Sequence, residues 1–266
     1  MTISAKVILD SIHHNDRLIT LELEYPRYIH SELMTHRVFS RNAQSSRAIP
    51  VEKSIKAVEE STWYPIFMMN KKGMAASDKV GIADIDEVMF WWDSAKNNAI
   101  NAASYLMEMG VHKQIVNRLL EPFSTIKVVL SSTDFSNFFS LRIAEGAQQE
   151  IQELAYKMKE AIDLSSPSSL DVGQWHTPYL REEEGDLPSV NKVALSAARC
   201  ARVSYLTHDG LRDPTRDYNL HDQLVSEKHM SPFEHQATPG VSDKYYANFK
   251  GWIQYRKHIE NGWKLK

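Results

Sequence analysis

Residues 33–51 read Leu33-Met34-Thr35-His36-Arg37-Val38-Phe39-Ser40-Arg41-Asn42-Ala43-Gln44-Ser45-Ser46-Arg47-Ala48-Ile49-Pro50-Val51 and contain no Asp or Glu. Three arginines, a histidine and a run of hydroxyl and amide side chains supply donors for a phosphate or carboxylate ligand. The plainer alternative is a solvated polar loop. Upstream, Lys6–Asp10 and Leu18–Tyr25 carry β-type patterns. In the second, Ile19, Leu21, Leu23 and Tyr25 alternate with other residues, the period of a half-buried strand. Pro26 stops that run, a short helix is expected from about Tyr28 to Thr35, and 37–50 is expected as a long loop.

Downstream, Ile85, Val88, Trp92, Ala95, Ala99, Ala102, Leu106 and Met109 step by three and four, predicting a helix over Asp84–Met109 capped by Gly110. A second helix is predicted over Val111–Glu121, ending before Pro122, and a buried strand over Thr125–Leu130. Further helices are expected near Ala147–Ile162, Ser189–Val203 and Arg216–Lys228. Residues 164–192, rich in Ser, Pro, Gly and acids, are the linker candidate. The mixture predicts an α+β fold with long helices packed on a sheet.

The 266 residues carry 31 Lys+Arg against 34 Asp+Glu, a formal charge of −3, which gives no support for a polyanion binder. A hydrophobic share of 42% and a charged share of 24% argue against global disorder. No stretch approaches the roughly 18 apolar residues of a membrane helix. Met1–Arg17 lacks a signal-peptide core, and the single Cys200 has no partner for an internal disulfide, so a reducing, cytoplasmic setting is expected. Cys200 falls in a presumed helix and is read as a buried, inert thiol. Arg118 and Arg142 lie among apolar residues and need partners. Internal salt bridges, for Arg142 with Glu145 or Glu150, are the plain explanation. His229 and His235 bracket Glu234, but the spacing is not that of zinc hydrolases, and no metal site is expected. No phosphate-binding glycine loop or dinucleotide fingerprint is present.

These pieces together resemble the flavin-dependent thymidylate synthases. That family's signature is an Arg-His-Arg triplet, seven residues and a Ser, with Asn, Ser and Arg at fixed offsets. Here Thr35-His36-Arg37 is followed by Val38–Gln44 and Ser45, with Asn42 and Arg47 in the matching places. Gly110–Pro122 with Arg118, Asn137–Gln152 with Arg142, Ala201-Arg202-Val203-Ser204 and His229–His235 are similar to further blocks of the family. In the family the last two blocks precede the triplet; here they follow it. The order therefore resembles a circular permutation of one domain, with 1–163 bearing the motifs, 164–192 as linker and 193–266 as the permuted segment.

The resemblance implies a central, mostly antiparallel sheet packed with long helices. It implies a methyltransferase that uses FAD, NADPH and methylenetetrahydrofolate to convert deoxyuridylate to thymidylate, with no nucleic-acid or membrane partner. A homotetramer with shared active sites is implied too. Reduced flavin delivers hydride directly, so no cysteine nucleophile is needed. By resemblance Glu32, Ser45, Arg47, Arg118 and Arg142 bind the nucleotide, with Ser45 and Arg142 as the catalytic pair. Thr35, His36, Arg37, Asn42, Asn137, Ser204, His229, Ser231 and Glu234 line the flavin site. Thr35 replaces the triplet's first Arg, Glu32 a usual Gln, Ala43 a usual Glu and Ala48 a Tyr. These departures open two alternatives: hydroxymethylation of deoxyuridylate or deoxycytidylate, or a non-catalytic nucleotide- or flavin-binding relative. A metal hydrolase built on His229 and His235 is the remotest option.

Overall fold

Alternation along the first two segments gives a hairpin of β1 (Ser4–His13) and β2 (Asp16–Pro26), turned at His14 with φ +50°. The computed structural model describes residues 3–73, 76, 78–204, 213–241 and 244–262. After β2 come a tight turn at Arg27–Ile29, helix α1 (His30–Met34), strand β3 (Ser40–Ala43) and helix α2 (Val51–Glu59). Helices α3 (Ile82–Glu108) and α4 (Lys113–Leu120) lead to β4 (Thr125–Ser132), α5 (Ser136–Arg142) and α6 (Gln149–Asp163). The short β5 (Ser168–Ser169) completes a five-stranded sheet of order β3-β4-β2-β1-β5, antiparallel except for β1 with β5. The α+β expectation with a mostly antiparallel sheet therefore holds.

Register gives the sheet two unlike faces, because directly opposed residues share a side. One face stacks Leu23 of β2 with Val128 of β4 and Ala43 of β3, and Leu21 with Leu130. It is covered by Ile151, Leu154, Ala155 and Met158 of α6 and by Phe138 of α5, all buried. Each such aliphatic side chain contributes roughly 1.5–3 kcal/mol on burial. The other face aligns Thr20, Ser131 and Ser40, then Glu22, Val129 and Asn42. It is covered by the C-terminal part, where α7 (Ser189–Ala201) packs on α8 (Pro214–Ser226).

Two expectations change, and the linker candidate at 164–192 is seen in contact with the rest of the fold. The loop expected at 37–50 contains β3 and a tight turn at Ser46–Ala48. Ser40, Arg41, Asn42 and Ala43 have little strand propensity of their own, and pairing with β4 holds them extended. The stripe on α3 is offset: Ile100 and Ala103 are the buried residues against α2 and α4, while Ala95, Ala102 and Met109 are exposed. Helix α3 does end as expected, with Gly110 at φ +76° and Val111 N–H bonded to the Leu106 carbonyl. Finally, 164–192 is an ordered strap. Leu170 N–H bonds to Ile12, the Tyr179 hydroxyl donates to Glu22 (2.7 Å), and Glu184 pairs with Arg199 (2.6 Å).

Candidate active site

The five-residue α1 and the seven-residue α5 bring Glu32, Thr35 and His36 against Arg142 at the C-terminus of α5. The guanidinium donates from Nε to His36 Nε2 (3.0 Å) and from Nη1 to Glu32 Oε2 (3.0 Å). Its Nη2 donates to the Glu32 carbonyl (3.4 Å) and to Thr35 Oγ1 (3.3 Å). An arginine N–H only donates, so His36 Nε2 must be a lone pair and the ring the neutral Nδ1–H tautomer. The His36 pKa agrees: burial lowers it first, then Arg142 and Arg41, against a bond with Asn137 that raises it. Phe138, edge-on to the His36 ring at 4.9 Å, and Phe39 at 6.0 Å form an apolar floor. The pairing expected for Arg142 with Glu145 or Glu150 is replaced by the one with Glu32. Glu150 is buried and accepts from Ile66 N–H (2.9 Å) and Gln148 (3.0 Å) instead.

Arg41, from the acid-free stretch, is used within the fold. Its Nη1 donates to the carbonyls of Leu33, Met34 and His36, tying down the end of α1. Of the other two arginines there, Arg37 and Arg47 are exposed. Ser45 begins the turn that carries Arg47 and is half-buried.

A second group lies on the polar face. Asn42 donates to the Cys200 carbonyl (2.7 Å) and accepts from Ser231 (3.2 Å), joining β3 to the end of α7 and to the 231–234 turn. Glu234 pairs with Arg256, and His229 is exposed beside Glu227 (3.3 Å). Ser204 ends a turn after α7, and its side chain lies outside the described residues. The Cys200 thiol is fully buried, and burial pushes its pKa well above the ordinary value, as the inert reading requires.

Arg118 has its own partner, Glu121, whose charge and that of Arg27 reach His30 at the start of α1. It is exposed on α4, not enclosed by the apolar residues around it in sequence, and pairs with Glu121 (3.0 Å), which also lies 3.6 Å from Arg27.

One feature of the polar face escaped the sequence reading. Ser11 meets His176 Nδ1 (2.8 Å), His176 Nε2 meets Thr20 (2.8 Å), Thr20 meets Ser131 (2.6 Å), and Ser131 meets His235 Nδ1 (2.8 Å). All five residues are buried, and burial lowers both histidine pKa values to about 3. Nothing local in sequence marks these contacts, which join residues more than 100 positions apart.

The family described as thymidylate synthase complementing protein matches residues 16–168, more than half of the chain. The flavin-dependent thymidylate synthase of Sulfolobus acidocaldarius is 26% identical over 234 residues, covering 83% of this chain and 80% of that protein. That of Pyrococcus abyssi is 29% identical over 133 residues, 49% of this chain and 48% of the relative. Among solved structures, a UMP/dUMP methylase, PolB from Streptomyces cacaoi with 5-Br UMP, is similar at a TM-score of 0.49 and 16% identity, over 60% of this chain and 88% of that one.

Proposed function

The chain belongs to the thymidylate synthase complementing protein family, and from that premise we propose that it transfers a one-carbon unit to carbon 5 of a deoxypyrimidine monophosphate. The leading reading is deoxyuridylate to thymidylate, with FAD as cofactor, NADPH as reductant and methylenetetrahydrofolate as carbon donor. The observation that carries it is the convergence of Glu32, Thr35 and His36 with Arg142, from two segments about 100 residues apart. Bound flavin would supply the hydride. The exposed guanidinium of Arg37 suits such a group, while the Ser231 hydroxyl donates to the Asn42 amide oxygen and Asn137 accepts from His36.

In this reading Arg142 orients the pyrimidine through charge-assisted hydrogen bonds, and His36, held neutral, fixes the guanidinium by accepting from Nε. Ser45 positions the nucleotide and does not attack it, while Arg47 and Arg118 take its phosphate. Thr35, Arg37, Ser204, His229 and Glu234 complete the flavin surroundings. In this reading the assembly is a homotetramer with shared active sites. The permuted order belongs to this reading: the family match ends at residue 168 and Asn42 bonds both Cys200 and Ser231, while the match to the Sulfolobus acidocaldarius relative runs through 83% of this chain and 80% of that protein.

Mass spectrometry of nucleotide products tests the reading, after incubation with FAD, NADPH, methylenetetrahydrofolate and deoxyuridylate. Thymidylate is the expected product. Arg142→Ala should bring turnover to background while the protein stays folded; near-normal turnover removes Arg142 from its role. A second reading, hydroxymethylation of deoxyuridylate or deoxycytidylate, is favoured over methylation by one observation. The Glu32 carboxylate balances the Arg142 charge where the family usually has a neutral amide. The same spectra with deoxycytidylate decide between them. If flavin-loaded protein returns both nucleotides unchanged, the chain is a binding relative and not an enzyme.

A further inference from the structure

We propose that Glu32 and Arg142 act as one reader of the pyrimidine's lactam edge, with Glu32 accepting the base N3–H and Arg142 donating to the adjacent carbonyl oxygen. The inference rests on the nucleotide reading above and assigns the part of the nucleotide this pair meets.

Hydrogen-bond accounting leads to it. A guanidinium has five N–H bonds. In Arg142 the Nε hydrogen goes to His36, one Nη1 hydrogen to Glu32 Oε2, and the two on Nη2 to the Glu32 carbonyl and Thr35 Oγ1. One Nη1 hydrogen remains. Among the described residues Glu32 Oε1 carries no hydrogen bond, since its partner oxygen makes the contact with Arg142. The pair therefore offers one acceptor beside one donor, and both side chains are partly open to solvent, at 31% and 20% exposure. A lactam edge carries the matching N–H beside C=O. Met34 and Leu141, neighbours in sequence of Thr35 and Arg142, are exposed at 43% and 54% and offer apolar surface for a flat ring.

Charge points the same way. A phosphate drawn to Arg142 would come close to the Glu32 carboxylate, and like charges a few ångströms apart repel even near a protein surface. A neutral, dipolar edge meets no such penalty. The phosphate is left to exposed guanidiniums elsewhere, such as Arg47 and Arg118. The pair also bears on reactivity. Accepting N3–H at a carboxylate raises electron density at carbon 5, and a guanidinium on the neighbouring oxygen offsets part of that gain. Cytosine, with an exocyclic N–H beside the N3 lone pair, also matches the pair, so the choice between the two pyrimidines is made elsewhere in the site.

Calorimetric titration of the FAD-loaded full-length protein with deoxyuridylate and with N3-methyldeoxyuridylate tests this. The wild type should bind the methylated nucleotide tenfold to a hundredfold more weakly, the worth of one charge-assisted hydrogen bond. Glu32→Ala should weaken deoxyuridylate by a similar factor, leave the methylated nucleotide within threefold, and so erase the discrimination. Equal binding of the two nucleotides by the wild type overturns the proposal, and that measurement needs no variant to fold. Discrimination that persists in Glu32→Ala overturns it too. So does a variant that tightens on the methylated nucleotide with deoxyuridylate unchanged, since that pattern is a steric effect only. If the wild type binds no deoxyuridylate at all, the nucleotide reading itself fails, a result distinct from the loss of N3 selectivity.

Discussion

The two faces of the central sheet hold their covering layers by different physics. On one, Leu21, Leu23, Val128 and Leu130 meet α6 through non-directional burial. On the other, Thr20, Ser131, Ser40 and Asn42 meet the C-terminal layer through hydrogen bonds between buried groups, including Gln254 to Ser40 (2.8 Å) and the chain through His176 and His235. An apolar face accepts many partners of suitable volume, whereas each buried polar group demands its own. The polar face therefore specifies where the described residues of the C-terminal part dock, and with them Ser231 and the end of α7.

Acid is the strongest way to break that comparison. His176 and His235 titrate near 3 in the folded protein and near 6.5 when unfolded, because burial disfavours the charged ring. The unfolded chain thus binds more protons below pH 6.5, so their contribution is intact above that value and falls away as pH drops toward 3. At pH 4.5 two such rings would cost roughly 5 kcal/mol, at about 1.4 kcal/mol per unit each. Hydrogen exchange should show segments around 176 and 235 losing protection as pH falls from 6.5 to 4.5, while α6 amides hold longest. Uniform loss across both faces would show that the polar layer has no separate acid sensitivity.

A matched pair of shape-conserving substitutions gives the next largest effect. Thr20→Val keeps volume but leaves His176 Nε2 and Ser131 without their shared partner, at a cost of about 1–3 kcal/mol. Leu23→Ile on the opposite face, also conserving volume, should cost less than about 1.5 kcal/mol. Urea denaturation of both decides; a larger loss for Leu23→Ile would invert the argument.

The same contrast explains what was legible in the sequence. Period-two alternation marks β2 because its apolar side faces a large core, and the helices α4, α6, α7 and α8 follow from spacing and proline punctuation within a few residues. Strand β3 stayed hidden because its residues become strand-like only when β4 is alongside. The Arg142 cluster was legible as a set of residues through the family resemblance, yet its partners were not. Glu32, and not Glu145 or Glu150, meets Arg142, since the meeting depends on how α1 and α5 pack and not on spacing. The Ser11–His176–Thr20–Ser131–His235 chain was illegible for the same reason, as every link is long-range. The stripe of α3 misled because periodicity gives an apolar side without saying how much of it this chain covers.

That uncovered side gives the smallest effect on the stability of the chain itself. Phe90 and Trp91, in edge contact at 5.4 Å, are exposed at 63% and 62%, and Tyr105 and Met109 at 72% and 73%. Ile115 and Leu119 of α4 extend the apolar surface beside Arg118. Large apolar side chains left open along one helix suit an interaction face, and the proposed assembly of four identical chains is the partner that would cover them. Light scattering should give the wild type a mass several times the 30.5 kDa of one chain. The double substitution Trp91→Glu and Tyr105→Glu should lower that mass while shifting the stability of the separated chain by no more than about 0.5 kcal/mol per site. A wild type that runs as a single chain at every concentration would leave α3 with no second copy to cover it and would remove the tetramer from the reading.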